Sequence, residues 1–364
     1  MTLAMTLLVR NEADILAANL AYHFAAGVDF VVATDHRSDD GTSDILEKYA
    51  RAGLAFVIRE EEQRMRQSAW VTRMARAAAE KGADWVINSD ADQFWWPLGG
   101  NLCEVLAAVP EEYGALRCFD YPFVARPDDE RPFWERMTVA LNPHAPINDP
   151  ASFFRPLPRI VHRASMDVVV GIGSHSLAGN IPVLRHWAPI QAMHFPIRSV
   201  GQVGPKAAAH VEAFSGPGSR VGNVYHERAF REAAEGRAER YYATVAVSDD
   251  ELAQGVAAGC LREDTRLRDA LRSLQDPGTG SFCPVAELRG ALSFGHPTTG
   301  ELVQNAVAVA GLAEADLVRS RRAADALERR LASVERSRRA GAGKHSRRTI
   351  RHVRRSRHGE VAEG

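Results

Sequence analysis

Residues 84–97 read Asp84-Trp85-Val86-Ile87-Asn88-Ser89-Asp90-Ala91-Asp92-Gln93-Phe94-Trp95-Trp96-Pro97. The apolar run Trp85-Val86-Ile87 leads into two acids one residue apart, Asp90 and Asp92. Alternate side chains on an extended chain share a face, so an extended path past Ser89 projects both carboxylates the same way. Two convergent carboxylates at the exposed end of a buried strand form a hard-oxygen site suited to Mn²⁺ or Mg²⁺. A divalent ion in that place would hold a nucleotide's diphosphate and stabilise it as it leaves.

Strand and helix signals alternate on either side of this stretch. Ala4–Val9, Phe30–Thr34, Leu54–Arg59, Asp84–Ser89 and Ala115–Tyr121 are short apolar or β-branched runs. Between them, Ile15, Leu16, Leu20 and Phe24 have helical spacing and stop at Gly27. Thr42 can cap a helix carrying Ile45, Leu46 and Tyr49, and Gln67–Lys81 forms another, closed by Gly82. Asn101 with Glu104 three residues on predicts a capping box for Leu102–Ala108. Continuous apolar strands separated by helices argue for an α/β fold with a mostly parallel sheet covered on both faces.

The later chain changes character. Residues 125–190 are Pro-rich and predict a loop-rich insertion, with short strands at Val168–Val170 and Ile190–Met193. From Ala207 to Leu274 the pattern is helical and amphipathic. Asp276–Gly280 is a turn, and Glu314–Ser337 is an Ala/Arg/Leu helix. The expected division is a sheet domain over 1–206, a helical region over 207–337 and a basic, disordered tail over 338–364. There is no internal repeat. From Arg319 onward, 15 Lys and Arg face 5 Asp and Glu, so an acidic body precedes a basic end. That end predicts peripheral contact with an anionic membrane face rather than specific nucleic-acid binding. The four cysteines, Cys103, Cys118, Cys260 and Cys283, lack metal-ligand spacing and fit a reduced, cytoplasmic protein. No apolar run is long enough to span a membrane, and the start lacks the pattern of a signal peptide.

Three strand ends deliver polar clusters: Arg10-Asn11-Glu12, Asp35 to Asp40, and Asp90 with Asp92. In an open parallel α/β sheet, ligands sit outside the carboxyl ends of the strands. An acid such as Asp35 can accept hydrogen bonds from a base imide or from ribose hydroxyls. Neither GxxxxGK[ST] nor GxGxxG occurs, so phosphates must be held by metal and side chains rather than by a Gly-rich turn.

Leu8-Val9-Arg10-Asn11-Glu12, Asp35-His36-Arg37-Ser38-Asp39-Asp40-Gly41-Thr42 and Asp90-Ala91-Asp92-Gln93-Phe94, taken in order, resemble the family 2 type of nucleotide-sugar glycosyltransferases with the GT-A fold. The match is nearest the branch with an Asp-x-Asp-Glu-Phe element, and it spans roughly residues 3–206. The resemblance implies a nucleotide-sugar donor and a saccharide or glycoconjugate acceptor. Asp35 would contact the base or ribose, and Asp90 would face ribose or metal. Asp92 would ligate the ion. His194 would complete the metal site, and Arg198 and Lys206 would touch phosphate. Gln93 stands where the family carries an acid, which keeps the shape and loses the charge.

Transfer develops oxocarbenium character at the sugar and negative charge on the leaving diphosphate. The acceptor hydroxyl needs a base. If the family's usual inverting outcome holds, one carboxylate supplies that base in a single displacement. Asp120, Glu135, Asp149 and Asp167 are the candidates, with nothing in the sequence to choose among them. Plainer readings compete. Asp39-Asp40-Gly41-Thr42 is a turn and helix start on its own terms. His162, His175 and His186 read as structural or acceptor-side polar groups. Trp95 and Trp96 can stack on a sugar or fill the core. A catalytically impaired glycosyltransferase-like binder would rest on Gln93. A nucleotidyltransferase would need the phosphate loop that Arg10-Asn11-Glu12 replaces.

Overall fold

The computed structural model describes residues 1–142, 158–214 and 224–356. The chain divides into two compact units, residues 1–147 with 151–310, and residues 311–364 with 148–150. The first unit opens with β1 (Leu3–Val9), α1 (Ala13–Ala25), β2 (Phe30–Asp35), α2 (Thr42–Arg51), β3 (Ala55–Arg59), α3 (Gln67–Glu80) and β4 (Trp85–Asp90). It continues through β5 (Gln93–Pro97), α4 (Leu102–Ala107), β6 (Ala115–Pro122), α5 (Phe133–Arg136), β7 (Val139–Leu141), β8 (Pro158–Arg163), β9 (Val183–Leu184) and β10 (Ile190–His194). Next come α6 (Val200–Phe214), α7 (Val224–Ala234), α8 (Ala238–Val245), α9 (Asp249–Ala257), β11 (Leu261–Glu263), α10 (Arg266–Ser273), α11 (Val285–Leu288) and α12 (Thr299–Ser356).

The main sheet runs β3-β2-β1-β4-β8-β6-β10-β5, with β9 beside β6. It is an α/β sheet flanked by helices and followed by a helical C-terminal region, consistent with the GT-A-like arrangement. Strand alternation explains the two faces. Leu3, Met5, Leu7 and Val9 of β1 join the core that contains Ile15, Leu16 and Leu20 of α1. Ala4, Val32 and Val86 point the other way, onto Met74, Ala75 and Ala78 of α3.

The sheet is mostly parallel, as expected, with antiparallel pairings made by β8 and β5. β3, β2, β1 and β4 are parallel, but β8 inserts antiparallel to both β4 and β6. β8 belongs to the Pro-rich stretch read as loop, and Pro158 takes the first strand position, where its missing N–H is tolerated. β5 was also hidden, because Gln93–Pro97 follows the acidic pair without a turn signature of its own; it pairs antiparallel with β10. Val168–Val170 is not a strand: only Val170 makes an isolated bridge, to Leu177. Thr42 is the first residue of α2 rather than its cap, and its hydroxyl donates to Asp40 Oδ1 at 2.6 Å. The Asn101–Glu104 capping box is present as expected.

The compact units do not divide at residue 206. Leu274 and Leu288 bury against Ala21 and Ala25 of α1, so chain beyond α6 completes the core of the sheet unit. The last helix is also longer than the expected Glu314–Ser337. It starts at Thr299, where Thr298 and Glu301 exchange reciprocal cap hydrogen bonds. It continues to Ser356 because Ala and Arg are strong helix formers, and it enters the stretch expected to be disordered. Among the described residues, no helix is long and apolar enough to cross a membrane.

A polar stripe on the buried face of α1 ties the sheet together. Asn19 Nδ2 donates to the carbonyls of Ala91 (2.9 Å) and Gln93 (2.8 Å). His23 Nε2 accepts the Trp95 N–H at 3.2 Å, which leaves its Nδ1–H to donate to the Asn19 carbonyl at 2.8 Å. Burial lowers the His23 pKa from 6.5 to about 3, only partly offset by the Asn19 carbonyl. The unfolded chain therefore takes up this proton first as pH falls. Stability from neutral His23 is complete above the unfolded value and is lost downward between 6.5 and about 3. We expect a loss approaching roughly 1.4 kcal/mol per pH unit in that window from this group. His23→Gln keeps an acceptor for Trp95 without titrating. Urea unfolding between pH 7 and pH 4 should show a smaller slope in that variant than in the natural chain, and equal slopes would contradict the assignment.

Candidate functional site

The parallel pairings place Val9 opposite Asp35 and Leu8 opposite Asp90, so the ends of β1, β2 and β4 meet at one sheet edge. Asn11 adopts a left-handed φ of 56° there. Its Oδ1 accepts the Asp39 N–H at 2.9 Å, and its own N–H donates to Ser38 Oγ at 3.1 Å. Glu12 N–H donates to Thr42 Oγ1 at 2.9 Å. Asp35 is buried; Oδ1 accepts the Ser38 N–H at 3.2 Å and Oδ2 accepts the Ser43 hydroxyl. Asn11 and Asp35 thus shape the loops at this edge, and Asp35 does not present an open carboxylate to a base or ribose. Arg10 is half-buried at the end of β1.

The acidic pair does not lie on one extended path. β4 stops at Asp90, Ala91 and Asp92 form a turn, and β5 leaves toward β10. The Asn19 side chain holds both carbonyls flanking Asp92. Gln93 completes the turn from within. Its Oε1 accepts the Asp90 N–H at 3.2 Å, and its Nε2 donates to Asp120 Oδ1 at 3.2 Å. Gln93 is fully buried, so the missing acid is not missing from an open cleft.

Five carboxylates and four cationic side chains gather around this turn. Arg159 Nε bonds both Asp120 oxygens, at 3.0 and 2.9 Å, and its Nη1 reaches Asp90 at 3.3 Å. Arg198 is wholly buried; it donates twice to Asp14, at 2.8 and 2.9 Å, and once to Glu12 at 2.5 Å. Lys206 Nζ bonds Asp92 Oδ2, while His194 Nε2 lies 3.4 Å from Asp92 Oδ1 and its Nδ1 lies 3.8 Å from Asp120. Burial alone would raise the Asp92 pKa, but Lys206 and His194 hold it well below the usual carboxylate range. Burial also works against the His194 cation, yet the Asp92 carboxylate beside it shifts the imidazole upward. Asp90 moves up through burial and the nearby Asp92, with Arg159 opposing. Its side chain is 37% exposed and that of Lys206 is 25% exposed, against none for Arg198.

Several expectations change on this geometry. Arg198 cannot reach a phosphate; it locks the ends of β1 and α1 to the segment after β10. Asp120 has no open face, being held by Arg159, Gln93 and His194. Glu135 pairs with Arg272 outside the cluster. Asp167 follows β8, whose Arg163 end pairs with the start of β4, so it lies at the opposite sheet edge from Asp90. Asp149 lies outside the described residues. His162 and His175 bond the carbonyls of Arg163 and Pro158 and are structural. Trp95 is buried with Nε1 on Ser89 Oγ, and Trp96 packs on Tyr22 and Phe294, so both belong to the core.

Asp92 and His194 approach each other at this turn, His194 Nε2 lying 3.4 Å from Asp92 Oδ1. Both Asp92 oxygens already face cations, and Asp90 turns to Arg159. Among the described residues, no group of three or more His, Cys, Asp or Glu side chains could hold a metal ion. Three members of the site escaped the sequence reading. Arg159 sat inside a Pro-rich stretch, and Asp14 is an acid in the first turn of α1. Asn19 left one trace, a polar residue between Leu16 and Leu20 on an apolar helix face. Lys206 also borders an apolar cavity of about 120 Å³ with Pro196, Ile197, Val203, Ala207 and Tyr241.

No family model matches the sequence, and no curated protein matches it. Solved structures similar to the chain include S. aureus TarS 1–349, at 14% identity over 88% of this chain and 92% of that one, with a TM-score of 0.29. The same S. aureus protein in complex with UDP-GlcNAc gives 13% identity, the same coverage and a TM-score of 0.32. A mycobacterial protein gives 14% identity over 61% of this chain and 77% of that one, with a TM-score of 0.29.

The Arg159–Asp120 pair provides a test of the cluster's cohesion. Arg159→Met leaves Asp120 buried beside too little positive charge and should cost about 3–5 kcal/mol in urea unfolding. Adding Asp120→Asn should restore most of that loss, because the stranded charge is gone. Simple addition of the two single-variant losses would show that the pair does not act as a unit.

Proposed function

We propose that this protein transfers a glycosyl group from a nucleotide-sugar donor to a hydroxyl of a saccharide or glycoconjugate acceptor. The carrying observation is the contact of Lys206 and His194 with Asp92 at the strand-end edge. Two partly open cationic groups stand over a turn whose backbone is fixed by Asn19 and Gln93. A leaving diphosphate gains negative charge, and cationic donors already in place stabilise it without reorganising at the moment of reaction. Lys206, on a flexible stem, can exchange Asp92 for a phosphate oxygen. Asp90, whose side chain is 37% exposed, accepts hydrogen bonds from donor hydroxyls. The apolar cavity beside Lys206 takes an apolar face of the acceptor.

This reading assigns the diphosphate's charge to the chain's own cations, in place of the Mn²⁺ or Mg²⁺ suggested by the Asp-x-Asp spacing. The buried hydrogen bonds of Gln93 to Asp90 and Asp120 favour this reading over the impaired binder.

A panel of nucleotide sugars, assayed for released nucleoside diphosphate with and without EDTA, tests the proposal. We expect one donor to be hydrolysed slowly in both conditions. Losing a charge-assisted hydrogen bond worth roughly 1.5–3 kcal/mol, Lys206→Met should reduce release about 10- to 100-fold. Release from no donor, or release unchanged in Lys206→Met, would overturn it.

A further inference from the structure

Within the second compact unit, α12 continues from Gly311 with an exposed apolar seam. Leu317, Leu327 and Leu331 are 69%, 60% and 57% exposed. A helix whose apolar side chains face water gains little from packing and is marginal alone. The apolar positions follow a heptad. Leu317, Ala324 and Leu331 take one core position, and Ala313, Ser320, Leu327 and Val334 take the other. Charged residues flank this seam in complementary pairs. In a parallel pair of helices, the residue before a first-type core position faces a residue five places further along the partner. That register sets Asp316 against Arg321 of the second copy, and Arg330 against Glu335 of the second copy. Gly341 and Gly343 follow the last apolar position and end the seam.

We propose that residues 313–334 join the same segment of a second copy of this chain as a parallel two-stranded coiled coil. The occupant is chosen by the seam itself, since its flanking charges are self-complementary in parallel register and its core positions repeat every seven residues. Pairing buries Leu317, Leu327 and Leu331 against their counterparts. The inference does not depend on the enzymatic reading.

Sedimentation velocity of the full chain over a dilution series tests this directly. The natural chain should sediment as a reversible dimer. Leu327→Glu with Leu331→Glu should weaken association by at least about a hundredfold, since it places like charges at core positions. The thermal transition of the sheet unit should be unchanged, because the altered residues are exposed. Ser320→Cys tests the register independently: oxidation should give a covalent dimer beyond any background from the natural cysteines. A chain that stays monomeric throughout, a double variant that dimerises equally well, or failure of Ser320→Cys to cross-link would each overturn the proposal.

Discussion

Five carboxylates cannot occupy one strand edge without cations among them. Glu12, Asp14, Asp90, Asp92 and Asp120 arrive from three different segments, and like charges about 4 Å apart repel by roughly 4 kcal/mol even at an effective dielectric of 20. Arg159 and Arg198 answer this with planar, buried forks that bond two acids each. They are structural cations, and their burial fixes where the strand ends stand. Lys206 and His194 do the same for Asp92 but remain partly open. In the proposed reaction the locked pair sets the geometry, and Lys206 trades Asp92 for an incoming phosphate.

The framework of β1 through β4 could be read from apolar runs and glycine stops, because local spacing determines buried parallel strands. The strand ends could be read too, since polar residues abruptly follow apolar ones at Arg10, Asp35 and Asp90. What escaped was decided by distant partners. β8 lies in a stretch whose prolines signal loop, yet β4 and β6 both needed an antiparallel neighbour. Arg159 sits on that strand, so the principal partner of Asp120 was invisible with it. Arg198 and Lys206, eight residues apart, looked equivalent as bases near a phosphate. Burial separates them, and burial depends on Asp14 and Glu12 nearly two hundred residues earlier. Gln93 looked like a lost catalytic charge for the same reason: no local signal says that its side chain turns inward to bond Asp120.

The buried stripe of Asn19 and His23 joins fold and site. Both carbonyls around Asp92 are held by one side chain on α1, and the neutral imidazole one turn later fixes the next strand. Such groups are costly to bury unless each is satisfied, which makes the turn's conformation close to all-or-none. The turn is therefore set before any ligand arrives, and the motion required of the site is confined to the Lys206 side chain.

Calorimetric titration with nucleoside diphosphates in EDTA tests that claim most directly. The account predicts that a diphosphate binds without metal, more tightly than its nucleoside, and that Lys206→Met removes most of this difference. Binding that appears only when Mn²⁺ or Mg²⁺ is added, and is indifferent to Lys206→Met, would contradict it.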